Sequence, residues 1–286
     1  MVLAGSDERG LRLVADGGAA DVHPGALPGQ PLREVVPAQP AATIITATCD
    51  QPIGFALCER WMQRQTVPLS TLQWIVVDDG VEPAKVTCGQ EYHRRQRIPG
   101  TSGAQSLCLN LLEALPHVRA DRVLIVEHDD HYRPEHVERM LDLLDRPGVA
   151  LAGDDKQRYF HVGVRRWRIY QNCGSALCQT AMRRELLPIF EGVVRRCLEL
   201  NQYGVDALLW REVGKDRQAI EHIATVVGIK GLPGRKGLGL GHRDDVVRKW
   251  KPDPQAEVLR SWIGGDAATY APHRIRSRRL PIRIGA

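Results

Sequence analysis

Val123-Leu124-Ile125-Val126-Glu127-His128-Asp129-Asp130 joins four consecutive apolar residues to a run of three acids and a histidine. A short, uninterrupted apolar run of this kind predicts a strand buried on both faces, as in a parallel sheet covered by helices. Two similar runs lie upstream. Trp74-Ile75-Val76-Val77 stops at Asp78-Asp79-Gly80, and the β-branched run Thr43–Thr48 stops at Asp50-Gln51-Pro52. Helix-spaced apolar residues fill the intervals: Phe55, Leu57, Cys58, Trp61 and Met62 in one, and Leu107, Leu111, Leu112 and Leu115 in the other. Pro134 suits the first turn of a further helix reaching about Leu144. Strands alternating with helices predict an α/β fold with a mostly parallel central sheet. Ligands of such sheets bind at the carboxyl ends of the strands. Three successive strand ends here carry Thr48 and Asp50, Asp78 and Asp79, and Glu127, Asp129 and Asp130.

Beyond residue 150 the pattern is mixed. Tyr159–Ile169, Ser175–Thr180 and 222–229 read as strands, and 183–202 and 204–213 as helices. The expected organisation is a flexible extension over 1–41, an alternating α/β half over 42–150, a mixed half of the same domain over 151–270, and a basic tail over 271–286.

Length and composition narrow the classes. The chain has 286 residues, is 43% hydrophobic and carries a net charge of +5. That is enough for a packed core, whereas collagen-like, coiled-coil and wholly disordered chains are excluded. No apolar stretch reaches membrane-spanning length and no export signal opens the chain, so a cytoplasmic protein is expected. The seven cysteines contain no C-x-x-C, which fits reduced thiols better than disulfides or zinc. The basicity is local: Arg274, Arg276, Arg278, Arg279 and Arg283 lie in a tail without acids, and the middle of the chain is close to neutral.

Carboxylates gathered at one sheet edge repel one another unless a cation joins them. Hard oxygen ligands suit Mg²⁺ or Mn²⁺, which in turn hold phosphate oxygens. The alternative is that the acids cap loops and helix N-termini. A zinc site on His128 and His131 matches no ligand spacing.

Taken together, Thr48-Cys49-Asp50-Gln51-Pro52, Gln65-Thr66, Val77–Gly80 and the acidic run Glu127–Asp130 resemble, in order and spacing, the N-terminal half of family-2 glycosyltransferases of the GT-A fold. The resemblance covers about 43–145 well. It implies a Rossmann-like, mostly parallel central sheet flanked by helices, with a nucleotide-sugar-binding half over 42–150 and a mixed acceptor and catalytic half over 151–270. It also implies transfer of a sugar from a nucleoside-diphosphate sugar to an acceptor hydroxyl with inversion, dependent on Mn²⁺ or Mg²⁺. The acceptor, a glycan, a protein or a modified nucleic acid, is left open.

Carried over residue by residue, Thr48, Asp50, Asp78 and Asp79 would line the nucleoside pocket. Asp129, with Glu127 or Asp130, would bind the metal, and His242 would complete its site. Asn172–Ser175 would lie near the acceptor, and Asp206 would be the catalytic base, its alternative being a plain helix N-terminal acid. Glu127 replaces the usual Asp. Cys108-Leu109-Asn110 lacks the Arg often found there, so Arg94, Arg95 or Arg97 would have to face the diphosphate. Gly231–Gly241 reads as a loop over the donor, and Trp250, Trp262 and Tyr270 as core packing. Two rivals remain: a metal-dependent nucleotidyltransferase, and a nucleic-acid-binding module that uses the Arg-rich tail.

Overall fold

The computed structural model describes residues 39–171, 174–222, 224–234 and 240–273. Among them is a seven-stranded sheet ordered Gln218–Glu221, Leu151–Asp154, Thr180–Arg183, Arg122–Ile125, Ala42–Thr48, Leu72–Asp78 and Glu91–Arg94. Thr180–Arg183 runs antiparallel to both neighbours, and the other pairings are parallel. The chain has the expected mixed α/β architecture. Most of the N-terminal extension, Asn172 and Cys173, part of the Gly-rich stretch and the basic tail from Arg274 lie outside the described residues.

Why these runs form strands is visible in the core. Successive strand residues face opposite sides, so Ile44, Trp74, Val76 and Leu124 pack on one face while Ile45, Ile75, Val77, Val123 and Ile125 pack on the other. The first face is covered by Pro52–Met62 and His136–Leu144, the second by Gly103–Ala114 and Leu187–Glu199. Trp250 and Tyr270 are buried, as expected, and Tyr270 accepts a hydrogen bond from Trp61 Nε1. No helix among the described residues is long and apolar enough to cross a membrane.

A second, five-stranded sheet runs Lys251–Pro252, Arg166–Gln171, Lys156–His161, Val226–Lys230 and His131–Tyr132. Two expected strands are corrected, one in each sheet. Tyr159–Ile169 is a hairpin, because the chain reverses between His161 and Arg166 with Arg165 in the left-handed region at φ 54°. Ser175–Thr180 is largely a tight 3₁₀ turn over Leu177–Gln179, and the strand begins at Thr180. Glu91–Arg94, a polar edge strand, has no apolar signature to announce it.

The parallel register positions the site. Thr48 pairs with Asp78 and Ile45 with Ile125, so the three acidic strand ends emerge along one edge. The second sheet is tied to that edge by Tyr132, which pairs with Val226.

One stability consequence follows from His136, buried at the start of its helix with Nδ1 2.8 Å from the Thr225 hydroxyl. Burial pushes its pKa down to about 3. The folded protein holds it neutral while the unfolded chain protonates it below its ordinary pKa of about 6.5. Its contribution is therefore present above pH 6.5 and lost as pH falls from there towards 3, by up to about 1.4 kcal/mol per pH unit. Relative to His136→Gln, the wild type should lose stability across that range in urea unfolding; a difference independent of pH would refute this.

Candidate active site

A cavity of about 420 Å³ opens at the carboxyl edge of the large sheet. Its walls include Thr48 from the first strand end, Ser106 and Asn110 from the helix Gly103–Ala114, Glu127 and Asp129 from the acidic run, Asp206, Lys230 and His242. The fold thus brings residues from six separate segments, about 200 positions apart in sequence, around one space.

The acidic run divides its labour. Asp129 reaches the cavity, and its Oδ2 accepts from Lys230 Nζ at 3.2 Å and lies 3.7 Å from His242 Nε2. Burial would raise its pKa, but Lys230, His128 and His242 outweigh that and hold it below the usual carboxylate range. Asp130 turns the other way. It is fully buried, and its Oδ1 accepts from Lys230 Nζ and from the Ile229 amide, both at 2.9 Å. Glu127 is partly exposed. Burial, with Asp130, Asp129 and Asp206 nearby, pushes its pKa up to about 8 against the pull of Lys230. His242 is pushed down to about 4, chiefly by burial and then by Lys230, so its imidazole is neutral at neutral pH. The two histidines of the run diverge: His128 Nδ1 bonds the Ala47 carbonyl at 2.9 Å and His131 Nε2 meets Asp266 at 3.0 Å. They do not converge on a zinc site.

Of the four nucleoside-pocket candidates, Thr48 alone walls the cavity. Asp78 is buried and organises the following loop, accepting from the amides of Gly80 and Ala84, from the Tyr92 hydroxyl and from Arg94. Gly80 is required there, because a Cβ would sit 2.9 Å from Asp78 Oδ1 and from the Asp50 amide. Asp79 lies directly behind the wall, bonded to Ser106, Asn110 and Arg95. Asp50 accepts from the Val81 amide and from Arg97. The three arginines expected to face a diphosphate are therefore engaged by these acids instead.

Asp206 occupies the first turn of the helix Val205–Glu212. Gly204 precedes it in the left-handed region at φ 101°, a turn that glycine makes without strain and that aims the helix start at the cavity. Burial raises the Asp206 pKa, tempered by the Ala207 amide. Of the segment expected near the acceptor, Gly174 packs on the Trp210 ring and the Ser175 hydroxyl bonds the Asp154 backbone.

Lys230 was not among the expected residues. Burial alone would lower its pKa, yet Asp129, Asp130 and Glu127 hold its ammonium well above the ordinary lysine range. Sequence offered one faint signal, a cation closing the apolar run Val226–Ile229.

The charge and chemistry of the donor set suit a divalent ion. Asp129 and Asp206 face one lysine in the cavity wall, and Glu127, its pKa pushed up to about 8, adds a third carboxyl that is largely protonated at neutral pH. A divalent cation in this wall would strengthen the binding of an anionic ligand. Asp129 with neutral His242, and Glu127 within reach of the same space, offer the few protein ligands that such ions take when substrate phosphates supply the rest. The residues fit. The tighter group of Glu127, Asp130 and Cys178, within 4.8 Å of one another, includes a thiol kept protonated by burial and a carboxylate already bonded to Lys230.

The sheet topology is that of an α/β domain of the GT-A type. The chain belongs to glycosyl transferase family 2, whose family model matches residues 57–206, over half of its length. It therefore carries a glycosyltransferase domain. Among solved structures, TarS from S. aureus in complex with UDP is similar at a TM-score of 0.50 and 15% identity, over 66% of this chain and 60% of that one. The mannosyltransferase PcManGT from Pyrobaculum calidifontis, in complex with GDP-Man and Mn²⁺, aligns at a TM-score of 0.44 and 14% identity, over 82% and 73%. The chain thus spans less than two thirds of the TarS chain it matches. No curated protein sequence matches it.

Proposed function

We propose that the protein transfers a sugar from a nucleoside-diphosphate sugar to an acceptor hydroxyl by a single, inverting displacement. The observation that carries this reading is one cavity walled by the first strand end, by the acids Glu127 and Asp129, and by the helix-start Asp206. Thr48 faces the nucleoside, and Asp79 holds Ser106 and Asn110 in the pocket wall. Asp50 and Asp78 shape the adjoining loop. Asp129, with His242 and Glu127, would hold a divalent ion, Mn²⁺ or Mg²⁺. When bound, that ion neutralises charge on the departing diphosphate. Asp206 accepts the proton of the acceptor hydroxyl as the new bond forms at the anomeric carbon, and one displacement inverts that carbon.

The test is a panel of nucleotide sugars and nucleoside triphosphates, assayed for thermal stabilisation and slow hydrolysis with Mn²⁺ and with chelator. A metal-dependent response to at least one nucleotide sugar is expected. Turnover of triphosphates alone would favour a nucleotidyltransferase, and no response to any nucleotide sugar would overturn the reading.

A further inference from the structure

Lys230 ends the strand Val226–Lys230 with its side chain in the cavity wall, only 7% exposed. A lysine that merely neutralised Asp130 could sit behind that residue, out of contact with the cavity. This one also bonds Asp129 Oδ2, the carboxylate that faces the cavity. The Ile229 amide bonds the same Asp130 oxygen, so the strand end and the acidic run are tied by both backbone and side chain. The ammonium position is therefore fixed, with the Tyr159 ring 5.9 Å away on one side. Two of its three donors go to the carboxylates. No third hydrogen-bond acceptor for the ammonium is found among the described residues. Among the described residues of the cavity wall, Lys230 is the one lysine or arginine. Arg94, Arg95 and Arg97 are held by Asp78, Asp79 and Asp50.

We propose that Lys230 is a phosphate-binding residue of the donor site: its ammonium donates directly to the diphosphate beside the divalent ion, so that nucleoside diphosphates bind even without metal. This rests on the donor-site reading above. The protein then supplies one positive charge permanently, while the ion supplies the remainder. Because the two cations share Asp129, they also repel each other. Removing the lysine therefore weakens nucleotide binding and tightens binding of the free ion. A purely structural lysine would not produce that opposition of signs.

The experiment is calorimetric binding of UDP and GDP to the full chain, with Mn²⁺ and with chelator. Wild type is expected to bind at least one of them in chelator, and Lys230→Gln to lose roughly 30-fold or more of that metal-free affinity, a loss typical of removing one charge from a buried pair. Mn²⁺ alone should bind Lys230→Gln more tightly than wild type. Because Lys230→Gln leaves Asp130 buried without its cation, a Lys230→Met/Asp130→Asn double variant removes both charges together and should show the same metal-free loss. Unchanged metal-free affinity in the double variant, or wild-type binding seen with Mn²⁺ but absent in chelator, would overturn the assignment of Lys230 alone. Absence of binding by wild type under both conditions would overturn the donor-site reading as well.

Discussion

Replacing Asp129 with asparagine should reduce transfer by about a thousandfold, the several kcal/mol that a correctly placed metal ion contributes to a developing anion. The substitution keeps the side chain's size and one oxygen, so Lys230 retains a polar neighbour as well as its bond to Asp130. What disappears is the charge that the cavity presents to a cation. Manganese titration should show affinity falling together with the rate, while circular dichroism stays that of wild type. Asp130→Asn is the control, because its carboxylate faces Lys230 and the Ile229 amide and does not wall the cavity. Weakening that buried pair should cost about 1–3 kcal/mol of stability, with much less effect on manganese affinity than at Asp129. Full activity in Asp129→Asn, or equal metal affinities in the two variants, would refute the division of roles between these adjacent acids.

That division was not visible in the sequence, and the reason is geometric. The apolar runs at 43–48, 74–77 and 123–126 fixed the strands, and strand direction fixed the edge at which their acids emerge. Sequence therefore located the edge correctly. It could not say which of two neighbouring carboxylates turns into the cavity, because that depends on Lys230, one hundred positions away. Arg94, Arg95 and Arg97 were legible as cations near the second strand, but not their partners. Those partners follow from the parallel pairing of Asp78 with Arg94, which an unpatterned edge strand supplies. Lys230 lay just beyond a strand expected to end at 229. The last residue of a short apolar run is where local pattern is weakest, and here the strand carries a charge inward because two acids wait for it.

Asp206→Asn should remove about 10²–10⁴-fold of the transfer rate, the usual contribution of a positioned general base, while leaving donor binding within error of wild type. The side chain lines the cavity from the start of its helix, and the Ala207 amide donates to its Oδ1 at 2.8 Å. Burial holds its pKa above the ordinary aspartate range. As a base it works in the ionised form, so kcat/KM should rise with pH through that elevated value, one proton being lost along the limb. The asparagine variant should lack that limb. A helix-terminal acid with no catalytic part would behave otherwise: its loss would cost about 0.3–1 kcal/mol of stability through the helix dipole and leave the acid limb in place. Burial sets a further sign. A carboxyl whose pKa is raised by folding favours the folded state most when protonated, so this residue's contribution to stability is present below pH 3.8 and lost as pH rises through its folded-state value. Activity should therefore increase over the interval in which this one group's stabilising contribution declines. A variant that lost the pH limb but kept the wild-type rate would refute the base assignment, because removing the base must remove both together.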